Sequence, residues 1–296
     1  MKILKLFFTA LIFYSCNAQT KQPALVINKN DNSLLWEISG NGLQQPSYLF
    51  GTFHLMCKSD ITFSAQLKTA IQLSDKVYME MDMDDPATIF GGILLMNMKD
   101  DKTLQQLYTP AEYKKIETYF KDSLHTPMSF IEKMKPFFLE AMLYPKMMPC
   151  KSISGVEEEL MKLAKLDKKE IKGLETMEFQ ASVFDSIPYE EQAQELLKSI
   201  DSMASSKKIF DTMLNVYKSQ QLNEIENLFN KSEMGLEEHQ DILLDNRNKN
   251  WVGQLKDIMK TSSVFVAVGA GHLVSKAGLI ALLRKEGYTV KPLLNQ

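Results

Sequence analysis

A chain of 296 residues, 45% apolar and 24% charged, has the make-up of a globular protein that can bury one large core or two smaller ones. Its formal charge of −3, without any dense basic run, argues against a nucleic-acid partner.

Residues 1–18 read as an export signal. Lys2 and Lys5 precede an apolar run, 6–14, that is too short to cross a bilayer. Two processing sites compete. Cleavage before Cys16, with small Ser15 ahead of it, makes Cys16 the lipidation site and ties the chain to the outer or inner membrane. Cleavage after Ala18 releases a soluble protein. The Ser15-Cys16 pair favours the first route, which removes two lysines with residues 1–15 and takes the charge from −3 to −5. The expected location is the periplasm or cell envelope of a Gram-negative bacterium. Export permits disulfides, and Cys57 and Cys150 are the two cysteines left. They lack CxxC spacing, so a bridge between them is preferred to a Cys-His metal site.

Residues 19–34 form a polar linker, and 35–296 the folded domain. Strands are predicted over 35–38 and 48–50, with Gly40, Gly42 and Pro46 marking the turn between them. Ser64 caps a helix over 65–73, and a strand follows over 76–81. This order predicts a βαβ unit, hence an α/β fold with a central mixed, largely parallel sheet flanked by helices. A helical insertion occupies about 100–260. Apolar residues at three- and four-residue spacing predict helices over 103–121, 129–144, 156–166, 189–203 and about 236–259, with one short strand at 170–174. The chain closes with a strand over 264–268, a helix over 275–285 and a strand over 289–293. The 264–268 run is apolar without alternation, as a strand covered on both faces requires.

The most informative pattern is a repeated phrase. Phe50-Gly51-Thr52-Phe53-His54-Leu55 returns 218 positions later as Val268-Gly269-Ala270-Gly271-His272-Leu273. Each copy ends an apolar strand in Gly-x-x-His-Leu, and the glycine is expected to turn the chain sharply. Histidines just past strand ends sit where α/β folds place their chemistry. One histidine alone more often caps a turn, but two of the chain's four in matching contexts point to a shared site. Neutral imidazole is a common metal ligand, and a catalytic metal needs about three protein ligands. Glu80, within the apolar strand 76–81, is the candidate third ligand, since a buried carboxylate there needs a partner. The alternative is a solvated strand-end glutamate.

Arg247 and Asn248 fall on the apolar stripe of Leu244, Trp251, Leu255 and Ile258, so both should face the interior. A buried guanidinium requires an anionic partner. It suits a developing oxyanion, and equally an ion pair with Glu80 or Glu175 that only holds the helix. Glu175, at a strand-to-helix junction, reads either as a catalytic carboxylate or as a partner of the helix N-terminus. His125 and His239 lie in charged or polar surroundings and are expected to be solvated. Gly269-x-Gly271 lacks the third glycine of a dinucleotide loop, and there is no HExxH.

The paired Gly-x-x-His motifs, a glutamate-bearing strand after the first, Gly173-Leu174-Glu175-Thr176 in the middle and Arg247-Asn248 before the second resemble the TraB/GumN (PrgY) family, which includes the Tiki proteases. The resemblance runs from about Trp36 to the C-terminus. It implies an α/β domain and, for the Tiki branch, a peptidase that depends on a divalent metal such as Mn, Co or Zn and acts on a peptide or protein substrate. It places Gly51, His54, Gly269 and His272 in the two motifs, and Glu80, Arg247 and Asn248 in the site. Gly155-Val156-Glu157 stands where the family has Gly-x-Asp. Other branches are not proteases by name, so a non-catalytic envelope protein that binds or sequesters a peptide is the alternative.

Overall fold

The computed structural model describes residues 32–85, 92, 95–229 and 239–295. The predicted export signal, the expected lipidation site Cys16 and the predicted helix start at 236–238 lie outside the described residues. Among the described residues there are eight strands: β1 (Leu35–Ser39), β2 (Ser47–Thr52), β3 (Met56–Cys57), β4 (Lys76–Met81), β5 (Ile153–Ser154), β6 (Glu170–Glu175), β7 (Val264–Gly269) and β8 (Thr289–Pro292). Six form one sheet in the order β6-β4-β7-β2-β1-β8, and β3 pairs with β5 separately. The β6-β4-β7-β2 half is parallel, while β1 runs antiparallel to β2 and to β8. The mixed, largely parallel sheet is thus present. The predicted βαβ unit is also there, but β7 inserts between its two strands.

The apolar run 264–268 becomes β7, buried from Val264 to Val268, as expected of a strand with neighbours on both sides and helices on both faces. The helix Ala65–Leu73 starts where predicted, because the Ser64 hydroxyl accepts from the Leu67 N–H. Other boundaries move for local reasons. The helix predicted over 103–121 is a short 3₁₀ turn, Leu104–Gln106, followed by the helix Pro110–Leu124. Pro110 fits its first turn, and Thr109 and Glu112 close a capping box there. The stretch predicted as one helix over 129–144 is broken into Met128–Ile131, Pro136–Ala141 and Tyr144–Met147, since Pro136 and Pro145 fit only the first turn of a new helix. The helix predicted over 275–285 starts later, at Leu279.

Parallel strands deliver all their carboxyl ends to one edge. Thr52 ends β2 with His54 just beyond, Glu80 is next to last in β4, Glu175 ends β6, and Gly269 ends β7 with His272 in the 3₁₀ turn after it. Topology alone therefore brings together residues that are far apart in sequence. The helix Asn246–Thr261, entered through a π-helical turn at Asp241–Asp245, lies across the same edge and buries Arg247, Asn248 and Trp251. Such π-helical turns are frequent at functional sites.

Candidate functional site

The two motif histidines and Glu80 converge on Gly269. A β-carbon built at this glycine would lie 3.3 Å from Glu80 Oε1, 3.7 Å from His272 Cδ2 and 3.9 Å from His54 Nε2. Gly269 does not turn the chain, contrary to the expectation for the motif glycines; its φ of −50° and ψ of 137° are open to any residue. It keeps clear the space between three side chains. Gly51 does not turn either. It lies within β2, where a β-carbon would sit 3.1 Å from Ala270 Cα and from Leu273 Cδ2, so the two copies of the motif pack directly against each other. Gly271 is buried in the turn that carries His272.

Each histidine is held through Nδ1. The Asn248 amide donates to the Ala277 carbonyl at 2.9 Å, which orients its oxygen toward His272 Nδ1 at 2.7 Å. His272 therefore carries its proton on Nδ1, and Nε2 offers a lone pair. Burial, reinforced by the Arg247 charge, pushes the His272 pKa down to about 3, so the ring is neutral. Its face packs on Trp251, with ring centroids 4.4 Å apart. His54 Nδ1 meets Glu157 Oε1 at 2.8 Å, and the Thr52 hydroxyl donates to the same oxygen at 2.5 Å. The Glu157 carboxylate raises the His54 pKa to about 9. The His54 side chain is 76% exposed, so its Nε2 is reachable from outside, whereas His272 lies buried.

Glu80 accepts from the Gly269 N–H at 2.8 Å through Oε1, and from Arg247 Nη2 at 2.7 Å and the Gln180 amide at 3.2 Å through Oε2. Burial works to raise its pKa, but the facing His272 ring, Arg247, His54 and the Gly269 N–H outweigh it and hold the carboxyl below its usual value. Glu175 receives Arg247 Nε at 3.1 Å and Nη2 at 2.8 Å, and burial raises its pKa. Arg247 Nη1 donates to the Leu243 carbonyl at 3.0 Å and faces His272 Nε2 at 3.3 Å. Arg247 and Asn248 thus face the interior as their stripe requires, and the ion pair anticipated with Glu80 or Glu175 is made with both. Of the Arg247 N–H groups, the one toward His272 has the longest contact.

The residues fit a divalent cation in three respects. Both histidines have Nδ1 tied to an oxygen acceptor, leaving Nε2 toward the centre, the arrangement that orients metal-ligating histidines. His272 Nε2 and Glu80 Oε1 are 3.7 Å apart, a gap that one ion with bonds of about 2.0–2.2 Å can bridge. Gly269 leaves the space between the donors free. Among the described residues, however, no group of three or more His, Cys, Asp or Glu side chains is placed closely enough to hold a metal ion as it stands.

Two residues of this centre were not anticipated. Glu157 is signalled by Gly155-x-Glu157 at a helix start, where a first-turn carboxylate can reach back to the loop before it. Gln180 has no sequence signal, since its bond to Glu80 spans 100 positions. Cys57 and Cys150 are bridged, as expected, which joins the loop after His54 to the segment before Glu157. His125 is exposed, but His239 is half-buried and meets Glu191 at 2.8 Å rather than being fully solvated. A groove of about 530 Å³ runs beside Arg247, and a smaller cavity of about 200 Å³ lies by Cys57 and Lys218.

An α/β sheet whose strand ends gather two histidines, a glutamate and a buried arginine defines a class of site rather than one protein. Residues 34–292 match the TraB/PrgY/gumN family, and the chain belongs to it. It is 28% identical over 117 residues to the metalloprotease TIKI2 of Danio rerio, covering 39% of this chain and 21% of that protein. It is 32% identical over 107 residues to TIKI1 of the same organism, and 31% over 108 residues to TIKI1 of Xenopus tropicalis, each covering 36% of this chain and 20% of the relative. The match thus spans about a fifth of the length of these relatives. No solved structure matches the chain.

Proposed function

We propose that this protein is an exported, metal-dependent peptidase whose ligands are His54, Glu80 and His272. The observation that carries the reading is their convergence around Gly269, with both imidazoles held at Nδ1 and both Nε2 atoms on the side of the centre, where His272 Nε2 meets Arg247 Nη1. The similarity to metalloproteases of the TIKI type supports the same chemistry. A divalent cation, when bound, supplies Lewis-acid polarisation of the scissile carbonyl.

The protein's own groups do the rest. Glu80 stays ionised at neutral pH because Arg247 and the Gly269 N–H hold its charge. Asn248 fixes the His272 tautomer, and Glu157 does the same for His54. Arg247 keeps Glu80 and Glu175 aligned, and its N–H toward His272 is the donor that a substrate oxygen can take over as charge develops. Gln180 is a positioning residue for Glu80.

The test is cleavage of a peptide library by purified protein, with and without a chelator. Cleavage that stops on chelation and returns with Mn, Co or Zn supports the reading. Intact peptides bound by a metal-free protein would favour the sequestering alternative.

A further inference from the structure

The groove beside Arg247 is walled by two helix faces. Phe179, Ser182, Val183 and Ser186 follow one another at spacings of three, one and three along one side, and Ile242, Asn246 and Asn250 at spacings of four along the other. Arg247 closes the end toward the centre, and its guanidinium is already neutralised by Glu80 and Glu175. The remaining lining is apolar or uncharged. Phe179 is 42% exposed there, an aromatic side chain left in solvent at the edge of a buried ionic centre.

The wall is preformed. Lys135, 1% exposed, ties the Met177–Asp185 helix in place by donating to the Ala181 carbonyl at 3.1 Å and pairing with Asp185 at 2.9 Å. The same helix carries Gln180, whose amide bonds Glu80. The groove and the centre thus share Arg247 directly and are joined by the helix that carries both Ser182 and Gln180. The volume of about 530 Å³ falls within the roughly 300–1,000 Å³ typical of ligand sites.

We infer that this groove is a specificity subsite that takes an apolar or aromatic side chain of an extended peptide. It contacts the chain next to the reacting bond, so this inference rests on the peptidase reading. A charged side chain is disfavoured because the lining offers it only hydroxyl and amide groups and an arginine already paired with Glu80 and Glu175. An apolar one covers Phe179 and the half-buried Ile242 and removes their surface from water.

The experiment separates the groove from the chemistry. Fluorescein-labelled alanine-rich heptapeptides with Phe, Lys or Asp at the centre are titrated by anisotropy into wild type, Ser182→Trp and Ser182→Asp. Ser182 is exposed, and its hydroxyl bonds only the Phe179 carbonyl of its own helix, so both variants should fold, with the melting temperature as the check. Wild type should bind the Phe peptide at least about tenfold tighter than the Asp peptide. Ser182→Trp should abolish that preference, and Ser182→Asp should shift it toward Lys. Equal binding of all three peptides by wild type, or the same preference in all three proteins, would overturn the subsite. Cleavage of the same peptides is followed in parallel. Groove-dependent binding without cleavage would retain the subsite and reject the peptidase reading.

Discussion

Arg247 grips Glu80 at 2.7 Å across 167 positions of sequence, and the same nitrogen holds Glu175 at 2.8 Å. One guanidinium thus bridges the carboxyl ends of β4 and β6 and sets the orientation of the carboxylate nearest the two histidines.

Loss of that bridge should be severe. Arg247→Ala should lower unfolding stability by about 3–5 kcal/mol, because two buried carboxylates lose their partner. Arg247→Lys should recover only part, since an ammonium cannot span both carboxylates as the planar fork does. Urea denaturation measures both, and a stability change under about 1 kcal/mol for Arg247→Ala would contradict the bridging role.

Gly269→Ala should separate stability from function. The backbone there suits alanine, so stability should stay within about 1 kcal/mol of wild type. The added methyl would stand 3.3 Å from Glu80 Oε1 and between the two imidazoles. Metal affinity should therefore fall by about tenfold or more, as for other disturbances of ligand orientation. Isothermal titration with Co and Mn reads this directly.

The His54–Glu157 pair predicts a pH signature. Glu157 raises the His54 pKa from 6.5 to about 9, so in metal-free protein the pair stabilises the fold fully below about pH 6.5 and loses that contribution as pH rises through about 9. A proton on His54 also competes with a metal, so affinity should climb with pH across the same window. Glu157→Gln should return the His54 titration toward 6.5 in NMR spectra and flatten that climb. An unchanged His54 titration would show that Glu157 does not control it.

The Cys57–Cys150 bridge closes a span of 93 residues that contains β4 and ends just before β5. The double variant Cys57→Ser/Cys150→Ser should lose about 2–5 kcal/mol. It should also weaken metal binding more than an unrelated variant of equal stability loss, because the bridge joins the loops of His54 and Glu157. Thermal melts and metal titrations of the pair give both readouts.

Much of this centre is legible from local pattern. The strand over 76–81 shows its burial, which marks Glu80 as a carboxylate in need of partners, and the stripe through Trp251 places Arg247 and Asn248 inside. The helices Met177–Asp185, Met203–Lys218 and Leu222–Phe229 are not predicted by the periodicity reading. In the second, Ser205, Ser206, Lys207 and Lys208 blur the apolar face that Phe210, Leu214 and Tyr217 make plain further on. Contacts across the sheet edge leave no local trace, so Gln180 is invisible in one dimension. The twin motif is clear in sequence, but its physical meaning differs from expectation: Gly51 and Gly269 make room rather than turns.

The central claim is that His54, Glu80 and His272 form one metal centre. Equilibrium dialysis of the full-length protein against Mn, Co and Zn, with the bound metal counted by atomic emission, tests it most directly. The account predicts one ion per chain in wild type, lost in both His54→Ala and His272→Ala while each variant stays folded by circular dichroism. No bound ion in wild type, or one ion retained in both variants, would contradict it.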